Sequence, residues 1–138
     1  MAGRKSRKEN AQEGEAFLAK NKEIPGVMVT ASGLQYEVLR EGTGPAPKRS
    51  HSVKVHYLGT LVDGTKFDSS YDRKEPIVFP VSGVIEGWVE GLQLMNAGSK
   101  FRFVIPSELA YGSGGAGEDI GPDSVLVFEV ELLEILGR

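Results

Sequence analysis

The stretch that most constrains this chain is VKVHYLGTLVDGTKFDSS, residues 53–70. Successive strand side chains point to opposite sides, so Val53, Val55, Tyr57 and Leu61 share one face. Asp63-Gly64 then predicts a tight hairpin turn, because both residue types tolerate positive φ. A second strand returns through Phe67 and Asp68. An acid among aromatic side chains is either surface chemistry beside a core or the rim of a binding pocket, and this stretch alone leaves both open.

The remainder extends the hairpin into a sheet. Residues 34–41 (LQYEVLRE) place Leu34, Tyr36 and Val38 on one face, and residues 100–106 (KFRFVIP) alternate again. Residues 124–136 (SVLVFEVELLEIL) make a long last strand with Phe128, Val130, Leu132 and Glu134 on one side. Apolar character also returns at 77–81. Val84, Ile85, Trp88, Leu92 and Met95 recur at helical spacing, which predicts a short helix over 86–94 with Ser82 as cap and Gly98 as stop. A further helix over 9–22 has thin apolar content in Ala16, Phe17 and Leu18. Gly14 costs it about 1 kcal/mol relative to alanine, and Ile24-Pro25-Gly26 ends it. Four or five mostly antiparallel strands with one inserted helix give an α+β fold. The expected division is a basic disordered tail at 1–8, the N-terminal helix and its stop at 9–26, and one folded domain at 27–138.

Composition serves to exclude. A length of 138 residues, 40% apolar and 25% charged, fits one globular domain. The absence of cysteine removes disulfides, thiolate metal sites and a cysteine nucleophile. His51 and His56 lie five apart, on opposite faces of a strand-like stretch, so they are expected to be solvated and no metal site is expected. No apolar run is long enough for a membrane-spanning helix. The first residues lack the apolar segment of a secretory signal, which gives a cytoplasmic expectation, with a periplasmic or secreted mature form as the alternative. Arg4, Lys5, Arg7 and Lys8 make the start basic, while the other 130 residues carry a balance of −7. That balance, without interleaved aromatics, argues against a nucleic-acid partner. Residues 112–117 fit GxGxxG, but Glu118, Asp119 and Gly121-Pro122 follow where a helix would be needed. A mobile surface loop over 107–124 is expected instead, although loops this long inside a compact domain are often functional. No GxSxG elbow and no Ser-His-acid arrangement are present.

What remains is aromatic: Tyr57, Phe67, Phe79, Trp88, Tyr111 and Phe128. Core packing accounts for most of these. Trp88 differs, because Gly87 and Gly91 thin its helix and leave the indole as a natural floor for a shallow apolar pocket.

Four motifs in order, VHYLGTLVDGTKFDSS, VIEGWVEGLQLM, LAYGSGG and IGPDSVLVFEVELLEI, resemble the signatures of the FKBP-type peptidyl-prolyl isomerases. The likeness runs from about Leu34 to Leu136. The upstream FLAKNKEIPGVMVTASGLQYEVLREGTG is similar to the bacterial subgroup containing the macrophage infectivity potentiator proteins. The resemblance implies an antiparallel half-barrel-like sheet wrapped around one short helix. It implies a pocket walled by Tyr57, Phe67, Val84, Ile85, Tyr111, Ile120 and Phe128, with Trp88 as floor and Phe79 nearby. Asp68 and Tyr111 would be its polar members, and the Ile85 N–H its donor to a substrate carbonyl. Tyr57, Phe67, Asp68 and Tyr111 would carry catalysis. The implied partners are proline-containing polypeptides and the macrolides rapamycin and tacrolimus, with no cofactor and a monomeric state. A non-catalytic proline-peptide scaffold or chaperone module is the alternative. Ile77, Gly83, Ala116 and the Glu118-Asp119 pair depart from the family pattern at the rim, where sequence preference would be set.

Overall fold

The computed structural model describes residues 6–137. Its elements are α1 (Arg7–Asn21), β1 (Val27–Val29), β2 (Gln35–Arg40), β3 (Ser52–Leu61), β4 (Lys66–Ser69), α2 (Ser70–Arg73), β5 (Ile77–Pro80), α3 (Glu86–Leu92), β6 (Lys100–Ile105) and β7 (Leu126–Leu136). All strand pairings are antiparallel, in the order β1-β2-β6-β7-β3-β4. β3 is the pivot. One side pairs with β7 along its whole length, while the other pairs with β5 at residues 52–55 and with β4 at 58–60. Seven strands exceed the four or five expected, because β1, β4 and β5 have only three or four residues, too few for alternation to register.

The hairpin forms as the sequence predicts, with a different division of labour in its turn. Only Gly64 takes positive φ, at 92°. Asp63 instead accepts the Thr65 N–H through its side chain at 2.9 Å, an Asx-type turn. A second departure lies in β7. The register with β3 slips between Lys54 and Val55, so Lys54 faces Glu134 while Val55 faces Leu132. The extra residue, Leu133, is exposed, and Ile135 packs on the core. The bulge thus reverses the alternation that placed Glu134 on the inner face. Leu34, just before β2, is fully buried and Tyr36 in β2 packs against the core, but Val38 is exposed near another register slip.

The sheet curls around α3, whose Trp88, Val89 and Leu92 are buried against Tyr57, Phe101, Phe103, Ile105, Leu126 and Phe128. Close approach is possible because Gly87 and Gly91 face the sheet. A Cβ there would sit 2.5 Å from Ile105 Cγ2 and 2.6 Å from Phe103 Cε1. The helix ends at Leu92 and its N-cap is Ile85; Ser82 lies in a preceding 3-10 turn and caps nothing.

On the opposite face, Val104, Val125 and Val127 are covered by Phe17, Leu18 and Val62. Here α1 docks, and Gly14 is its contact: a Cβ would meet Val125 Cγ2 at 2.5 Å. The glycine expected to weaken the helix seats it, while Ala16 is exposed. Ser6 and Glu9 form a reciprocal capping box. Arg7 and Lys8 therefore belong to the helix rather than to the basic tail expected over 1–8, whose residues 1–5 lie outside the described residues. At its other end Asn21 is buried, donating to Gln35 Oε1 at 2.7 Å and accepting from Arg102 at 3.0 Å.

Candidate functional site

The concave side of the sheet and the start of α3 enclose a cavity of about 530 Å³. It is lined by Tyr57 from β3, Phe67 and Asp68 from β4, Phe79 from β5, Gly83, Val84, Ile85 and Trp88 at α3, Tyr111 from the long loop, and Phe128 from β7. Nine of the ten predicted pocket residues meet there. Ile120 does not line it; it is buried beneath the loop, against the core.

Trp88 forms the floor and is 4% exposed. Tyr57, Phe79 and Phe128 stand edge-on to tilted around it, with ring centres 5.4, 5.5 and 5.3 Å from the indole and interplanar angles of 85°, 82° and 86°. Phe67 meets Phe128 at 5.5 Å and 90°. Edge-to-face contacts put positive ring edges on negative faces, so the walls hold one another in place. Gly59 makes room, since a Cβ there would lie 2.7 Å from the Phe67 ring and 2.8 Å from that of Phe128. The Trp88 Nε1 is buried with no hydrogen-bond partner among the described residues.

The polar wall is a cluster of three side chains and one backbone N–H. Tyr57 Oη donates to Asp68 Oδ2 at 2.5 Å, and the Ser69 N–H donates to Asp68 Oδ1 at 2.9 Å. Arg73 completes it, donating to Asp68 Oδ1 at 2.7 Å and to Tyr57 Oη at 3.2 Å. Burial tends to raise the Asp68 carboxyl, but the bonds from Tyr57, Arg73 and Ser69 outweigh it and hold the group below the usual carboxylate range. Burial first, and then Asp68, push the Tyr57 hydroxyl up. An acid so held stays ionised at neutral pH, with both oxygens already accepting bonds.

Arg73 has no place among the sequence-predicted site residues, because 71–76 reads as a polar loop. The four-residue α2 explains its reach. Ser69 caps it by accepting the Asp72 N–H, and Lys74 ends it in the left-handed region at φ 56°. The tight turn carries Arg73 back over Asp68, five positions earlier. A Ser cap directly after a strand acid was the available signal. The neighbouring carboxylate, Asp72, pairs with Lys66 at 2.5 Å and stays out of the cluster.

The histidines are less solvated than expected. His56 stacks on Tyr71 at 4.7 Å and its Nδ1 lies 2.7 Å from Ser70 Oγ. His51 Nδ1 accepts the Lys48 N–H at 2.8 Å. Among the described residues no group of three metal-ligating side chains occurs. The Ile85 N–H, at the start of α3, makes no backbone hydrogen bond among the described residues, and Tyr111 is 41% exposed. Within the loop of 107–124, Ala116 and Ile120 exchange backbone bonds at 2.8 and 3.1 Å, and no α-helix follows 112–117.

The chain is thus an α+β domain in which a half-wrapped antiparallel sheet and one short helix enclose an aromatic pocket floored by tryptophan. Residues 44–133 match the family model described as FKBP-type peptidyl-prolyl cis-trans isomerase, and residues 1–38 match that of the domain amino terminal to it. The chain belongs to the FKBP-type peptidyl-prolyl cis-trans isomerase family. It is 60% identical over 127 residues to the FKBP-type isomerase FkpA of Aeromonas hydrophila, covering 92% of this chain and 47% of that one. It is 47% identical over 131 residues to the Outer membrane protein MIP of Legionella longbeachae, covering 95% of this chain and 56% of that one. A solved peptidyl-prolyl isomerase from Pseudomonas syringae superimposes with a TM-score of 0.89 at 40% identity, covering 99% of this chain and all of that one. The chain spans about half the length of the curated relatives it matches. No helix among the described residues is long and apolar enough to cross a membrane.

Proposed function

We propose that this chain accelerates cis–trans isomerisation of X–Pro bonds in polypeptides, seating the proline ring over Trp88. The observation that carries the reading is the buried indole ringed by three edge-on aromatics, in one lining with Ile85, whose N–H is uncommitted.

Rotation about a peptide bond is opposed by C–N resonance, a barrier of about 18–20 kcal/mol. For X–Pro both isomers are populated and exchange in tens to hundreds of seconds. No bond breaks, so the reaction needs neither nucleophile nor metal. The planar amide is more charge-separated than the twisted one and loses more when water is withdrawn, so an apolar pocket narrows the gap between them. Shape complementarity to the twisted form adds binding that exists only in the transition state, and each ~1.4 kcal/mol of it gives a factor of ten in rate. The Ile85 N–H holds a substrate carbonyl and Tyr111 bonds the substrate backbone. Asp68 acts as a fixed charge beside the twisting amide and not as a general base, in keeping with a carboxylate whose oxygens are already engaged.

The same pocket would take rapamycin and tacrolimus, and the chain would act as a monomer. The name of the Legionella relative supports a cell-envelope setting over the cytoplasmic one, which fractionation tests. The central experiment is NMR exchange or a protease-coupled assay on an X–Pro peptide, with and without rapamycin. Phe67→Ala and Asp68→Ala should each lower kcat/KM with the circular dichroism unchanged. If neither does, the site assignment is wrong.

A further inference from the structure

Tyr111 lines the pocket on a loop, and its hydroxyl makes no hydrogen bond among the described residues. Its aim therefore depends on the backbone that carries it. That backbone is closed at its base, where the Asp123 N–H donates to Gly112 O at 2.9 Å. Asp123 sits at φ 56°, an uncommon conformation for a residue with a side chain.

The first turn of α1 grips both limbs of this closure. Arg7 Nη2 donates to Ser113 O at 3.2 Å on the limb leaving Tyr111. Arg7 Nε lies 3.7 Å from the Asp123 carboxylate on the returning limb. Asn10 Nδ2 donates to Pro122 O at 2.9 Å beside it, in a half-buried setting. The helix behind these contacts is fixed by Gly14 on Val125, by Phe17 and Leu18 on the outer sheet face, and by Asn21 with Gln35 and Arg102.

We propose that the first turn of α1 is a clamp on the Tyr111 loop, which makes Arg7 and Asn10 positioning residues for a peptide held in the Trp88 pocket. The inference rests on the proline-peptide reading given above. It couples the N-terminal helix, on the convex face of the sheet, to substrate binding on the concave face.

Asn10→Asp tests the grip. It deletes the donor to Pro122, yet an acid in the first turns of a helix favours the helix dipole, so α1 itself is not weakened. The readouts are amide hydrogen exchange of residues 112–123 and binding of an X–Pro peptide followed by the fluorescence of Trp88, the single tryptophan. Exchange in 112–123 should rise while α1 stays protected, and the peptide should bind about fivefold more weakly, the scale of one lost hydrogen bond. In a Tyr111→Phe background the same change should weaken binding no further. Unchanged loop exchange, unchanged binding, or a loss that simply adds to that of Tyr111→Phe would each overturn the clamp. A wild-type chain that binds the peptide without accelerating its exchange sinks the isomerase reading and leaves the clamp standing, whereas one that fails to bind overturns both.

Discussion

Removing one oxygen, by Tyr57→Phe, tests the cluster that forms the polar wall. The ring is 6% exposed and its packing on Trp88, Phe79 and Phe128 is untouched by the change. What goes is the hydroxyl that donates to Asp68 and accepts from Arg73. A hydrogen bond to a charged group is worth about 1.5–3 kcal/mol. The Asp68 and Arg73 side chains keep 39% and 46% of their exposure, so water replaces part of the loss and about 1 kcal/mol remains. For a chain of this size that is a fall of about 4 °C in Tm. The pH dependence is the sharper reading. A depressed carboxyl gives stability that is present above its unfolded value, about 3.9, and is lost as pH falls through the folded one. Tyr57 is one cause of that depression, so the gap between wild type and variant should be full at pH 7 and shrink steadily below the carboxylate range. Thermal melts from neutral to strongly acid pH measure it. A gap that is absent at pH 7, or that does not change on acidification, refutes the reasoning.

Other expectations follow from single contacts. Gly91→Ala should lower the urea midpoint by the equivalent of about 1–3 kcal/mol, since its Cβ would meet the buried Phe103 ring; an unchanged midpoint would mean that α3 can lift from the sheet. Deleting Leu133 removes the bulge while leaving Leu132 and Ile135 inward in regular alternation, so a folded chain with nearly wild-type stability is expected; an unfolded product would show that the bulge is needed for closure. The Tyr71 hydroxyl is pushed up to about 12 by burial and then by Glu131, so the stability it lends is present below its ordinary range and is lost as pH rises through the folded value. In a spectrophotometric titration Tyr71→Phe should remove one tyrosine's share of the signal near pH 12; a loss near pH 10 instead would contradict the contact.

Patterns that repeat were legible in the sequence; single-residue interruptions were not. Alternation located β2, β3, β6 and β7, and 3.6-residue spacing located α3. Leu133 shows the limit. One inserted residue flips every later side chain across the sheet, and only the partner strand decides where the slip falls. Gly14 and Ala16 show another, since propensity assigns a glycine a cost in an isolated helix, whereas docking makes its missing side chain the contact. In the site, the aromatic members were visible by type and motif, and nine of the ten converge. Arg73 escaped because its partners become neighbours only through a four-residue helix, shorter than any period can reveal. Ile120 lies outside the lining for a related reason: a Gly-rich loop gives no face to read, and there Ile120 is buried in the core cluster while its backbone pairs with Ala116.

These features bear on why a pocket without reactive groups needs so much support around it. If the chemistry is rotation about a bond, the protein has no intermediate to stabilise, and whatever rate it confers must come from a shape that the substrate cannot deform. Catalytic geometry of that kind depends on side chains locked by their neighbours. Here the floor is locked from below, where Gly87 and Gly91 let α3 sit against Ile105 and Phe103. The side wall is locked by Tyr57, Asp68 and Arg73, and the aromatic walls by their edge-on contacts. The Tyr111 hydroxyl makes no hydrogen bond among the described residues, and its loop is the part that α1 contacts from the far face. Exposure and contact with α1 therefore fall on the same loop, and under the proposed clamp Tyr111 is the residue through which the convex face would reach a bound peptide.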